Sequence, residues 1–144
     1  MLDNRKVIWD AECEMKDSYA LVTSAEASVD AVAKIFDTGG GYTEGKLKIN
    51  VTACAASGQY LIGLQGSGSS TFATPFVELA NIQFAALASS RGSRAVGTGY
   101  YELNWSNDFA TTVYRYLRIY TTVVPATGSG GVNTITYTAQ IAKK

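Results

Sequence analysis

A chain of 144 residues that is 47% hydrophobic, with twelve basic and twelve acidic side chains, is the size of one domain and can bury a core without metal or disulfide staples. The zero net charge lacks the basic footprint that nucleic acids and anionic membranes attract, so neither is an expected partner, and no run of apolar residues is long enough for a membrane-spanning helix. The chain contains no histidine. That removes the Ser-His-Asp and Cys-His devices and the commonest metal ligand, and two widely separated cysteines, Cys13 and Cys54, make no zinc set, so no cofactor or metal is expected.

In chain order, residues 1–17 show no strand pattern and collect Asp10, Glu12, Glu14 and Asp17; they read as an N-terminal arm ahead of one domain over 18–144. The opening residues lack the long apolar stretch of a signal peptide, and two cysteines are too few for a disulfide framework, which points to synthesis in a reducing cytoplasm. Residues 24–36 fit two patterns. Ala25, Val29, Val32, Ala33 and Phe36 have helical spacing with Ser24 as a cap, whereas Val29, Ala31, Ala33 and Ile35 alternate as in a strand. Gly39-Gly40-Gly41 is read as a turn, since no strand-loop-helix with a following Lys-Ser/Thr pair accompanies it, as a phosphate loop demands. Asp37 and Glu44 beside it have no EF-hand spacing.

From Lys46 onward the alternation is clear: Leu47, Ile49, Val51 and Ala53 on one face, Lys48, Asn50 and Thr52 on the other. Ser57-Gly58 then reads as the turn of a hairpin into residues 59–65. A strand follows at about 76–83, a long small-residue loop with Arg91 and Arg94 at 85–99, and a strand on which Tyr101, Leu103 and Trp105 point inward. Residues 112–124 form the strongest pattern, with Val113, Leu117, Ile119 and Val123 on one face and Tyr114, Tyr116, Arg118 and Tyr120 on the other. The last strand sets Ile135, Tyr137, Ala139 and Ile141 against Thr134, Thr136, Thr138 and Gln140. About eight short antiparallel strands at turn-punctuated intervals specify an all-β jelly roll or β-sandwich.

Chemistry is sparse in this pattern. Glu44, Glu78, Glu102 and Asp108 could in principle supply a carboxylate pair for glycoside hydrolysis, but nothing in the sequence selects two of them, so no enzymatic activity is expected. Tyr100, Tyr101 and Trp105, with Asn104, Asn107 and Asp108 nearby, have the composition of a sugar-stacking platform, against a reading in which Tyr101 and Trp105 are simply core. The row Tyr114, Tyr116, Arg118 and Tyr120 is rich in the residue types that dominate protein interfaces, and packing into a second sheet would use it equally well. Arg91 and Arg94 are further interface candidates, suited to an acidic partner surface.

Four segments carry a family resemblance: Ile35-Phe36-Asp37-Thr38-Gly39; residues 61–67, Leu-Ile-Gly-Leu-Gln-Gly-Ser; residues 114–120, Tyr-Arg-Tyr-Leu-Arg-Ile-Tyr; and Ile135-Thr136-Tyr137-Thr138-Ala139. Together, over residues 18–142, the chain resembles the capsid decoration (cement) proteins of tailed bacteriophages. The resemblance implies a jelly roll that forms homotrimers on the capsid exterior of the virion and bridges subunits of the major capsid protein. A carbohydrate-binding module on the virion and a head-tail or tail structural protein are the alternative expectations.

Overall fold

The computed structural model describes residues 13–55, 58–73, 75–85, 94–95, 98–125 and 133–144. Strands dominate it: β1 (Glu14–Lys16), β2 (Ala25–Glu26), β3 (Ser28–Val29), β4 (Val32–Ala33), β5 (Ile35–Asp37), β6 (Glu44–Cys54), β7 (Gly58–Ser67), β8 (Phe76–Ala85), β9 (Arg94–Ala95), β10 (Gly99–Ser106), β11 (Asp108–Phe109), β12 (Thr112–Val113), β13 (Tyr116–Pro125) and β14 (Ile135–Lys143).

Two antiparallel sheets make the sandwich. One runs β1-β14-β6-β10; the other runs β2-β13-β7-β8, with β5 also on the β2 side of β13 and β9 added in parallel to β8. Both β2 and β5 pair with β13, so they count as one interrupted strand. The main strands then lie in the order first, eighth, third, sixth in one sheet and second, seventh, fourth, fifth in the other. Each sheet alternates early and late strands, which is the double Greek key of a jelly roll. The fold expected from the sequence is the fold observed.

Alternation fills the space between the sheets. Leu47, Ile49 and Val51 of β6, Ile135, Tyr137, Ala139 and Ile141 of β14, and Trp105 of β10 face Tyr60, Ile62 and Leu64 of β7, Leu117, Ile119 and Val123 of β13, and Ile82 and Phe84 of β8; all are buried. At roughly 25 cal/mol per Å² of apolar surface removed from water, this two-sided set is the main stabilising term. One polar tie crosses the core, a short hydrogen bond between the Thr121 and Tyr137 hydroxyls. Tyr137 is fully buried, and desolvation pushes its phenol well above the usual range.

Four local readings of the sequence are corrected. Residues 24–36 are neither one helix nor one strand but the short strands β2 to β5; Asp30 and Ala31 both take positive φ, 51° and 62°, and close a two-residue β3–β4 hairpin. Ser57 lies outside the described residues, but β6 and β7 belong to different sheets, so the two do not form the expected hairpin. Alternation fixes which face of a strand is buried but not its neighbour, so it did not separate the two outcomes. β7 pairs instead with β8.

The proposed arm also extends too far. Glu14–Lys16 pairs with β14, and a register shift in that ladder turns both Met15 and Lys16 inward. The Lys16 ammonium is held by the carbonyls of Asp17, Tyr19 and Tyr137 at 2.8, 2.6 and 3.0 Å and lies 4.5 Å from the Tyr137 ring centroid. Desolvation pulls its pKa down to about 8 despite nearby Asp17. Residues 1–12 lie outside the described residues. Finally, residues 112–124 are not one strand: Thr112–Val113 pairs with Asp108–Phe109 as a separate small hairpin, so Val113 is exposed and not core.

Candidate interface at one end of the sandwich

Three loops meet at one end of the jelly roll: residues 38–43, residues 68–73, and residues 107–115 with the β11–β12 hairpin. Asn107 joins the first to the third. Its Oδ1 accepts from the Thr43 amide at 2.8 Å, and its Nδ2 donates to the carbonyls of Gly41 (2.9 Å) and Tyr114 (3.0 Å). Its own backbone is paired as well, with its amide donating to the Thr43 carbonyl and its carbonyl accepting from the Tyr114 amide. Asn107 is completely buried. An asparagine satisfied at both ends of its amide fixes both loops at once, because breaking any one bond strands a buried polar group.

A second tie lies at the surface. The Asp37 carboxylate receives Arg115 Nε and Nη2 at 2.8 and 2.9 Å and the Gly39 amide at 2.8 Å. These donors, the guanidinium foremost, hold the Asp37 pKa at about 2. Gly39 and Gly40 have φ of 90° and 95°, a region other residues enter only with strain, so the glycine run is the turn that lets this loop close. Thr38 completes the join, donating from both its amide and its hydroxyl to the Arg115 carbonyl.

The loop of residues 68–73 is pinned differently, through Arg118. That side chain lies on the outer face of β13 with its guanidinium carbon 4.3 Å from the Phe72 ring centroid, 5.3 Å from Phe76 and 5.2 Å from Tyr120. Its Nε donates to Gln65 Oε1 at 2.9 Å, and its Nη1 stands 3.8 Å from Glu26 Oε1. Planar, weakly hydrated and many-donored, a guanidinium can stack and hydrogen-bond together.

What this scaffold displays is apolar. Tyr42 is 60% exposed, Phe109 55%, Phe76 44% and Val113 42%. Tyr42 precedes Thr43, which Asn107 holds; Phe109 and Val113 sit on the hairpin that starts at Asp108; Phe76 opens β8, beside which β11 packs. The Tyr42 hydroxyl donates to Glu44 Oε2 at 3.0 Å, and that carboxylate raises the phenol's pKa.

The residues singled out from sequence are not assembled as one face. Tyr116, Arg118 and Tyr120 do share the outer face of β13. Tyr114 does not: its Cβ sits 3.1 Å from where a Cβ on Gly66 would stand, and Gly66 pairs with the fully buried Leu117, on the inner side of the sheet. The break lies at Tyr114 and Arg115, which belong to no strand and separate β12 from β13. Arg118 is occupied by internal contacts, with its side chain only 12% exposed. Arg91 lies outside the described residues; Arg94 is placed only as backbone, in β9. In the sequence Asn107 stands out only as a polar neighbour of the aromatic platform, and Phe109 not at all, since a short polar cluster after a strand gives no sign of how many loops it will join.

The other readings resolve too. Trp105 is 3% exposed and in the core, so the three-aromatic platform does not form, and Tyr100 points outward alone. The Trp105 indole N–H meets no acceptor among the described residues. Asp37 is committed to Arg115 and Glu44 to Tyr42 and, at 4.0 Å, Lys144. Among the described residues, no three His, Cys, Asp or Glu side chains gather as a metal site would require. No family model and no curated protein matches the chain.

Proposed function

We propose that the chain is a structural adhesion protein of the capsid-decoration type, which binds the outer surface of a tailed-phage head as a trimer and bridges neighbouring major capsid subunits. The observation that carries this reading is the set Tyr42, Phe76, Phe109 and Val113, exposed together at one end of a rigid jelly roll. Aromatic and aliphatic side chains held on an immobile mount lose little conformational freedom on binding, and such residues anchor protein interfaces. The four-segment sequence resemblance supplies the kind of partner.

The mechanism is clamping. A ligand that binds only the assembled shell stabilises it by mass action, by roughly 2.7 kcal/mol per site at a hundredfold excess over its dissociation constant. A trimer that grips several subunits adds effective concentration to modest single contacts. The test is to weigh the purified chain in solution and sediment it with heads stripped of accessory proteins. A trimer that pellets with heads, and a Phe109→Ser/Val113→Thr variant that folds but pellets about tenfold more weakly, are the expected results. A monomer that stays in the supernatant would remove the proposal.

A further inference from the structure

One charged group stands inside the exposed apolar set at the loop end. The β6–β10 ladder closes at the pair Ser106 and Glu44. One residue further on, Asn107 and Thr43 are joined twice, by the Asn107 amide on the Thr43 carbonyl and the Thr43 amide on Asn107 Oδ1. The next residues, Asp108 and Tyr42, are therefore neighbours. The Tyr42 phenol feels both carboxylates nearby, its pKa raised first by the bond to Glu44 and further by the charge on Asp108. Asp108 also pairs with Val113 across the β11–β12 hairpin. An exposed carboxylate thus has two exposed members of the set, Tyr42 and Val113, beside it, and a third, Phe109, next to it in the chain.

The other charges at this end are already matched. Asp37 holds the Arg115 fork, Glu44 takes the Tyr42 hydroxyl and faces Lys144 at 4.0 Å, and Lys143 donates to the Thr38 carbonyl at 3.2 Å. The Asp108 carboxylate takes part in no hydrogen bond and no ion pair among the described residues. In water that is harmless, because hydration satisfies the charge. Under an apolar partner surface the hydration is lost, a penalty large enough to cancel the gain from the rings around it unless an opposite charge replaces the water.

Resting on the adhesion reading, we propose that the surface gripped by the loop end presents a basic side chain, seated among apolar residues and paired with Asp108. Arginine fits before lysine. A guanidinium bonds a carboxylate in a fork and stacks on a ring at the same time, and Tyr42 stands beside Asp108 to receive it. Arg115 already shows this arrangement within the chain, forked onto Asp37 with its guanidinium carbon 5.3 Å from the Tyr116 ring centroid. The partner is thereby specified by its chemistry: one cation ringed by apolar side chains.

The test sediments wild type, Asp108→Asn, Asp108→Glu and Asp30→Asn with stripped heads, at about 50 and about 500 mM salt. Asp108→Asn should pellet about tenfold more weakly than wild type. Asp108→Glu, which keeps the charge, should retain most of the binding, and Asp30→Asn, an exposed carboxylate on the β3–β4 hairpin, all of it. Because salt screens a covered pair far less than an exposed one, the gap between Asp108→Asn and wild type should persist at the higher salt. An unfolding midpoint equal to that of wild type verifies that Asp108→Asn is folded. Undiminished binding by Asp108→Asn, a gap that closes at high salt, or an equal loss in Asp30→Asn would overturn the inference and leave the adhesion reading standing. A wild type that does not pellet at all removes both.

Discussion

The guanidinium of Arg118 is stacked on Phe72, 4.3 Å from ring centroid to guanidinium carbon, while Phe72 holds a φ of 51° and is buried. A bulky side chain in the left-handed region is strained, at a cost on the order of 1–2 kcal/mol. The loop keeps this conformation because the ring gains a cation on its face and a buried seat. Arg118 therefore belongs to the scaffold of the loop end and not to its contact surface, although its sequence neighbourhood, Tyr-Leu-Arg-Ile-Tyr, has the composition of an interface.

Arg118→Ala should cost roughly 2–3 kcal/mol in denaturant unfolding, from the lost stack, the lost Gln65 bond and Glu26 left without its counter-charge. Hydrogen exchange in residues 68–73 should speed up more than in β6 or β14. Arg118→Lys should recover less than half of the loss, because an ammonium cannot stack and bond Gln65 in one geometry. Full recovery by lysine would mean that charge alone holds the loop.

Asn107→Ala should destabilise by roughly 2–4 kcal/mol, since it deletes the side-chain bonds that tie the two loops and leaves the Thr43 amide and the Gly41 and Tyr114 carbonyls short of partners. Asn107→Asp is the sharper variant. A carboxylate still accepts from Thr43 but cannot donate to either carbonyl, so it should be no better than alanine at neutral pH. Wild-type stability in the aspartate variant would rule out the donor role.

Two pH dependences follow, with opposite causes and the same sign. Asp37 has a folded pKa of about 2 against a usual 3.8, so its stabilisation is complete above the usual value and is lost as pH falls from about 4 toward 2. Asp37→Asn should flatten part of that acid limb, Asp17, also lowered, keeping the rest. Lys16 has a folded pKa of about 8 against 10.5. Between those values the unfolded chain binds the extra proton, so stability should rise with pH from about 7.5 to 9, before the raised Cys54 thiol opposes it. Unfolding free energies at steps of pH, with Lys16→Met showing no such rise, check the assignment.

Much of the core was legible because strand alternation is a strong signal where one face is buried: Leu47, Ile49 and Val51, then Ile135, Tyr137, Ala139 and Ile141, are inward as their spacing predicts. The errors have one physical origin. Pattern along a strand says nothing about which strand lies beside it, so the β6–β7 connection was misread and Thr112–Val113 was fused to β13. The arm failed because the three-residue strand Glu14–Lys16 opens on one acidic residue and is followed by another, Asp17, and its inward pair, Met15 and Lys16, breaks alternation at a bulge. Of the loop end, only one part showed, Gly39-Gly40-Gly41 as a turn; for the tyrosines of β13 the sequence left surface and packing into a second sheet equally open. Asn107 joins segments some seventy residues apart, and that is a property of topology.

The β11–β12 hairpin offers the most direct separation of stability from adhesion. Ala110, at its tip, has a φ of 54°, a conformation glycine reaches freely and alanine only with strain. Ala110→Gly should therefore stabilise the chain, by up to about 1 kcal/mol in denaturant unfolding, the relief being partly offset by the greater freedom of glycine when unfolded. Ala110→Val should do the reverse, because a β-branched side chain is worse still at positive φ. Neither change touches the exposed rings of Tyr42 and Phe109, so if the loop-end surface is the contact, head binding should follow Phe109 and Val113 and ignore Ala110→Gly. A glycine variant that is more stable yet loses binding in proportion would show that the hairpin must deform to engage its partner, and a rigid mount would then be the wrong description.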